Sequence, residues 1–278
     1  MTDVPLENWA WLTTAKPAMA TLALVLLWTA ETVVPMVAGR PRRLSHSAAN
    51  LALGLLNTLV AAALFGAALL VVTEWARRES FGLLHGLALP PWAAWPLALV
   101  LIDLWMYLWH VLNHRVPFLW RFHAVHHADR EMDVSTAVRF HTGEIVLSSI
   151  ARLAVLPLLG ITMPQLLLYE AILLPVILFH HSNIGIGPRL DAVLRAVIAT
   201  PFMHWVHHSR WQPETDSNYG SVLSVWDRLF RTFRLRAHPA EIELGLDEDA
   251  EEWHWRTPHG MLMRPFRKHP RGAPSNKP

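Results

Sequence analysis

The chain has 278 residues, 53% of them hydrophobic and 17% charged, with a formal net charge of +2, a mean hydropathy of +0.25 and a pI near 9.3. So apolar a composition excludes an ordinary soluble domain. The absence of cysteine excludes disulfides, thiolate-ligated haem and cysteine-held iron–sulfur clusters.

The first 14 residues, MTDVPLENWAWLTT, lack the basic start and small-residue cleavage site of a signal peptide, so no removed leader is expected. Apolar windows long enough to cross a bilayer, which takes about 20 residues, then follow one another. Residues 18–37 carry one charge, Glu31. Residues 51–72 carry none, and 93–112 are interrupted by Asp103. The window 145–161 is shorter and holds Arg152, and 164–178 runs on into His180 and His181. Buried helices of a soluble core would be flanked by amphipathic ones, and few such patterns occur. The expected fold is therefore all-α, a membrane bundle of four or five segments with a histidine-rich helical cap on the cytoplasmic side.

Basic residues stand in short groups beside these windows, at Arg40/Arg42/Arg43, Arg77/Arg78 and Arg115/Arg121. That distribution fits membrane topology and not a nucleic-acid footprint. Trp9, Trp11, Trp75, Trp92, Trp95, Trp109, Trp120, Trp205 and Trp211 lie near segment ends, as an interfacial aromatic belt requires. With the Arg40–Arg43 loop on the cytoplasmic side, 18–37 runs inward, 51–72 outward and 93–112 inward. The link at Thr162 and Met163 is short enough only for a hairpin, which returns the chain to the same side at His181.

At that side three histidine clusters gather: His110/His114, His123/His126/His127 and His204/His207/His208. Helical residues three and four apart share one face, so W-H-V-L-N-H and both copies of H-x-x-H-H aim their rings at a common centre. Neutral imidazole is the commonest metal ligand, while a structural zinc takes about four ligands and usually recruits thiolates. Eight clustered histidines without cysteine suit two ions better than one. His46, His85, His238, His254, His259 and His269 lack such partners and are left out. Asp103, two turns before His110, and Asp129, Asp216 and Asp227 are candidate acceptors for the second ring nitrogens of ligands, with pairing to Arg228 as the alternative for Asp227. From about Arg236 the tail, with its acidic run at 247–252, reads as solvated. The expected divisions are membrane segments over 1–92, a catalytic region over 93–235 and a charged tail over 236–278.

At these residues the chain resembles the fatty acid hydroxylase superfamily, also called the sterol desaturase family. The marks are DLWMYLWHVLNH, LWRFHAVHHAD, FHHSNIGIGP, PFMHWVHHS and the closing NYGSVLSVWDRLFRTF, covering about Asp103 to Phe233. VSTAVR and the later spacings also resemble the alkylglycerol monooxygenase branch. The resemblance implies a diiron centre, two Fe ions without haem or iron–sulfur cluster, that uses O2 to hydroxylate or desaturate a lipid C–H bond. The lipid, a fatty acyl, ether-lipid or sterol-like molecule, would enter from the bilayer. Electrons would come from an external donor such as a ferredoxin, a cytochrome b5-like protein or a reductase, and no nucleic acid is involved.

Carried over by position, the ligands are His110, His114, His123, His126, His127, His204, His207 and His208, with His181 of the H-S-N element as a ninth. His141, in RFHTGE, is a tenth ligand or a residue behind the ligands; Thr142 stands where proline is usual. His180 and Asn218, with Asp103 and Asp227, are expected behind the ligands. Val111 after His110, and Arg231 where the closing element usually has glycine, also depart from the pattern. A desaturase with the same centre and a metal-binding or transport protein are the alternatives. A transporter would hold its ligands near the bilayer midplane, whereas these lie at span ends.

Overall fold

The structure, a computed structural model, describes residues 9–40, 42–246 and 252–267. The N-terminal eight residues, the acidic run at 247–251 and His269 lie outside the described residues.

The long helices are α1 (Ala10–Val33), α2 (Arg43–Arg78), α4 (Pro91–Arg115), α6 (Thr142–Leu159) and α7 (Met163–His181), with the short α3 (Leu83–Gly86) after α2. All five long elements are apolar and long enough to cross a membrane. Between and after them come α5 (Pro117–His127), a 3-10 turn (Val134–Val138), α8 (Pro188–Leu194), α9 (Pro201–His207), α10 (Gln212–Thr215), α11 (Val225–Leu229), α12 (Glu252–Arg256) and α13 (Pro258–Met263). No strand occurs among the described residues, only three isolated bridges.

Several helix boundaries follow from local chemistry. Proline opens α4, α5, α8, α9 and α13, where its missing N–H costs nothing and its fixed φ suits the first turn. Gly160, at φ +73, closes α6 in the left-handed conformation, with its N–H on Leu156 O and Pro157 O. The Thr162–Gln165 capping box restarts the chain as α7. The hairpin read at Thr162 and Met163 is thereby built from a glycine stop and a threonine start. The first segment lies earlier than its sequence window because the helix ends at Val33 before Pro35, and α2 begins earlier because its polar first turns reach past the apolar stretch.

Helix α1 packs on α7, and α2 on α6. Ala98, Ile102, Leu156, Leu166, Tyr169 and Leu173 form the buried seam of the bundle. The chain direction alternates, so the C-terminal ends of α1, α4 and α7 and the N-terminal ends of α2 and α6 meet at one pole. Glu31 ties three of these ends together. Its carboxylate accepts from Val134 N at 3.1 Å, Asn183 N at 2.8 Å and Arg43 Nη2 at 2.7 Å. Trp75 and Trp92 are exposed at the opposite pole, where Trp9 stacks on Trp95, while Trp205 is fully buried at the histidine pole.

The tail departs from the solvated reading. Residues 252–267 fold back against the bundle, with Met261 buried against Ala49, Leu53 and Val125. Trp255 O accepts from the buried Arg139 at 2.6 Å. An apolar side chain at the right spacing overrides the charged composition around it.

Candidate metal centre

Three helices and one helix end deliver nine imidazoles to the histidine pole. They sort into two groups, His110, His114, His123, His127 and His207 in one, and His126, His181, His204 and His208 in the other. Within each group one nitrogen of every ring lies within 4.8 Å of the others. The groups adjoin, since His127 and His208 stack across them with ring centroids 4.4 Å apart. Helix periodicity explains the division: His123 and His127, four apart, face one way, and His126 faces the other. In α9, His204 and its neighbour His208 share one group while His207 turns to the other.

The second ring nitrogens are held by the protein. His110 Nδ1 donates to Tyr219 O at 2.9 Å, His126 Nδ1 to Arg139 O at 3.1 Å, His181 Nδ1 to Ile177 O at 2.7 Å and His207 Nδ1 to Ser217 O at 2.6 Å. His123 Nδ1 meets Glu144 Oε1 at 2.9 Å. Asp216 Oδ1 stands 3.5 Å from His114 Nδ1. The hydrogen bonds at His110, His123, His126, His181 and His207 fix the tautomer and leave Nε2 as a lone-pair donor, whereas Asp216 approaches His114 without bonding it.

Those inward nitrogens are buried without a hydrogen-bond partner at His110, His123 and His207, and both nitrogens are so at His114, His127 and His208. A buried polar atom left unpaired costs about 1–3 kcal/mol, and so many together are intelligible when a cation is their partner. The remaining Nε2 atoms converge likewise, His181 on His126 at 3.1 Å and on His204 at 2.9 Å. Burial, reinforced by repulsion among the imidazoles, pushes His126, His127, His204, His207 and His208 well below the usual imidazole range. They are neutral, as ligands must be. An all-imidazole donor set fits iron or another borderline transition ion.

Other residues named from the sequence fall elsewhere. His141 caps α6: its Nδ1 accepts from Gly143 N at 2.8 Å and its Nε2 donates to Leu262 O at 3.1 Å. Neither nitrogen is free for an ion, so the structure sets it apart from both groups. His180 stacks on His204 at 4.1 Å with both nitrogens unpartnered, outside either group. Asp103 does not meet an imidazole. It accepts from Tyr169 OH at 2.7 Å, Trp226 Nε1 at 2.8 Å and the backbone N–H groups of Val222 and Leu223 at 3.2 and 3.0 Å. Asp103 shares with His110 the face of α4 that meets residues 219–226, but its carboxylate is taken up by Tyr169 and that stretch rather than by an imidazole.

Asp227 accepts from Tyr219 N, Gly220 N and Thr232 Oγ1 at 2.7, 2.9 and 2.7 Å, while the Arg228 guanidinium caps Ser224 O and Arg195 O. Asn218, at φ +52, pins Met203 O and Arg234 O. These two residues thus shape the loop whose carbonyls hold His110 and His207. Gly220 is required there, because a Cβ would stand 2.8 Å from Leu223 O and 2.9 Å from Asp227 Oδ2.

Sequence reasoning passed over His46. It is buried, with Nε2 2.9 Å from Asp129 and Nδ1 3.1 Å from Asp133, and it locks α2 to the loop that follows His127. Asp129 also accepts from Thr136 Oγ1 at 2.7 Å. Its partners are therefore structural, and no histidine of either group bonds to it. Buried Arg139 completes this layer with Val125 O, Asn50 Oδ1 and Trp255 O.

A helical membrane bundle that gathers imidazoles at one pole defines the class of integral-membrane, histidine-box proteins. Residues 95–232 match the family model described as fatty acid hydroxylase, and over this stretch the chain belongs to that family. An ornithine lipid hydroxylase of Rhizobium tropici is 32% identical over 160 residues, 55% of this chain and 47% of that protein. The alkylglycerol monooxygenase of Homo sapiens is 30% identical over 150 residues, 51% of this chain and 31% of that protein. The human cholesterol 25-hydroxylase is 26% identical over 150 residues, 51% of this chain and 52% of that protein. The chain thus spans about half or less of the length of these relatives. No solved structure matches it.

Proposed function

We propose that this protein is a membrane-bound non-haem diiron oxidoreductase that hydroxylates a C–H bond of a lipid with O2, two external electrons and two protons, releasing water. The observation that carries the reading is the pair of adjoining imidazole groups, five and four rings, with their inward nitrogens unpartnered. The names of the relatives, a hydroxylase of ornithine lipid, a monooxygenase of alkylglycerol and a hydroxylase of cholesterol, support a lipid substrate and insertion of oxygen.

His110, His114, His123, His127 and His207 would hold one iron and His126, His181, His204 and His208 the other. Iron held there supplies O2 binding and the electrons that cleave its O–O bond. The chain's own part is to fix the rings through Tyr219 O, Arg139 O, Ser217 O, Ile177 O and Glu144, and to keep the pocket dry under the loop Asp227 organises. Electrons come from an external donor, because the chain has no cysteine to hold a cluster. The histidine pole faces the cytoplasm in this proposal, supported by Arg40, Arg42, Arg43, Arg115 and Arg121 around it.

The test joins metal analysis of detergent-purified protein to a lipid comparison of expressing and non-expressing cells. Two irons per chain and a lipid heavier by one oxygen are expected. Loss of two hydrogens instead assigns desaturation, and a protein that purifies with zinc alone and leaves the lipids unchanged overturns the proposal.

A further inference from the structure

The chain between α7 and the C-terminal region does not simply lie on top of the bundle. Asp103 is at the middle of α4, about 18 Å by helix rise from either end and about 10 Å from His110. Yet it binds the N–H groups of Val222 and Leu223 and the indole of Trp226. Val222 sits in the bundle seam with Ala98, Ile102 and Tyr169. One turn nearer the pole, Tyr107 bonds Thr232 and stacks on Phe230 at 5.2 Å. The stretch 219–232 therefore descends beside α4 and returns.

A second stretch descends with it. Ala199 N bonds Val222 O at 2.9 Å and Ser224 N bonds Val197 O at 3.0 Å, so residues 197–199 stand at the same level before α9 climbs back to the histidines. Irregular backbone at membrane depth survives only where its polar groups are satisfied by protein. That is what Asp103 does for the donors of this tip and what Arg228 does for two of its carbonyls.

The outer face of the paired stretches is apolar. Leu190, Val193, Val197, Val225, Leu229 and Phe230 are exposed, Val193 at 70% and Leu229 at 63%. On α8 the spacing 190, 193 places Leu190 and Val193 on one face, with Val197 in the turn that follows, while Asp191 is buried. Soluble surfaces rarely carry such a patch, and this one is continuous with the lipid-facing sides of the spans. Arg189 and Arg231 are exposed beside it, as on helices that lie at the boundary between headgroups and acyl chains.

We propose that residues 188–199 and 219–232 form a paired re-entrant element that enters the bilayer leaflet on the histidine side, its occupant being acyl chains flanked by lipid phosphates. The same element carries Tyr219 O, the acceptor of His110, so the leaflet's lipid borders the wall of the centre. This holds whatever reaction the centre performs.

The chain has no cysteine, so single cysteines Val193→Cys and Leu229→Cys can carry a fluorophore alone, with the exposed Glu243→Cys as the aqueous reference. The full-length protein is labelled in detergent and reconstituted in vesicles of phosphatidylcholine and phosphatidylglycerol. Replacing the acyl chains by brominated ones should quench positions 193 and 229 by about two-fold or more, and position 243 hardly at all. Positions 193 and 229 as insensitive as 243 would overturn the proposal. Disulfide-linked dimers through Val193→Cys with no quenching would overturn it too and assign the patch to a second copy.

Discussion

Glu144 brings a carboxylate to 2.9 Å from a histidine of the gathered groups, where four of the others lean on backbone carbonyls. A carboxylate raises the basicity of the ring it orients, and loss of such a partner typically lowers metal affinity or activity about 10–100-fold. With iron held as proposed, Glu144→Ala should therefore release it to a chelator far faster than the parent, with the protein still membrane-embedded, and Glu144→Gln should fall between. An unchanged release rate would show that His123 needs no acceptor. Replacing His126 or His207 by alanine should abolish lipid oxidation and remove about half the iron, one ligand of either group being lost. His141→Ala should leave iron content unchanged, since both its nitrogens bond to the backbone, and a His269 variant should be silent in the lipid assay. At this scale the gathering of the histidines was legible because imidazole at three- and four-residue spacing is a signature that survives without structure. Their acceptors were not: Tyr219, Ser217, Arg139 and Ile177 act through carbonyl oxygens, which every residue type carries.

The elements around the site differ in how far their patterns could be read. Apolar length alone gave four or five spans, of which the structure has five candidates with the first shifted toward the N-terminus, and the Thr162 link gave the hairpin, since no other geometry closes so short a connection. The fold-back of α12 and α13 was hidden because its anchors, Met261 and Leu262, belong to a short apolar stretch with no helix-length periodicity, and the docking surface of Ala49, Leu53 and Val125 comes from two distant helices. Met261→Ala should cost about 2–5 kcal/mol of stability, the range for emptying a buried methionine site, and should lower the melting midpoint in detergent. A midpoint within error of the parent would mean that the segment is not held by that contact. His46 was hidden for the same reason. Its partners Asp129 and Asp133 lie 83 and 87 residues away, and no local spacing announces them.

For the molecule as a whole, the alternation of the five spans requires the polar ends at Ser45 and Arg121 to share one side of the membrane, with Glu79 on the other. Single cysteines at these exposed positions should react with an impermeant maleimide from opposite faces, Ser45→Cys and Arg121→Cys together and Glu79→Cys apart. Labelling of Ser45→Cys and Arg121→Cys from different sides would break the arrangement. The convergence of the histidine clusters was readable because it depends on span count and direction only. The descent of residues 219–232 was not, since the carboxylate that draws it inward lies more than a hundred residues earlier in the chain. The fold-back of α12 and α13 also orders events during synthesis. His208, the last of the nine gathered imidazoles in chain order, is made before Trp255 and Met261, so a chain ending before residue 252 would carry every one of those rings and lack the segment that bonds Arg139.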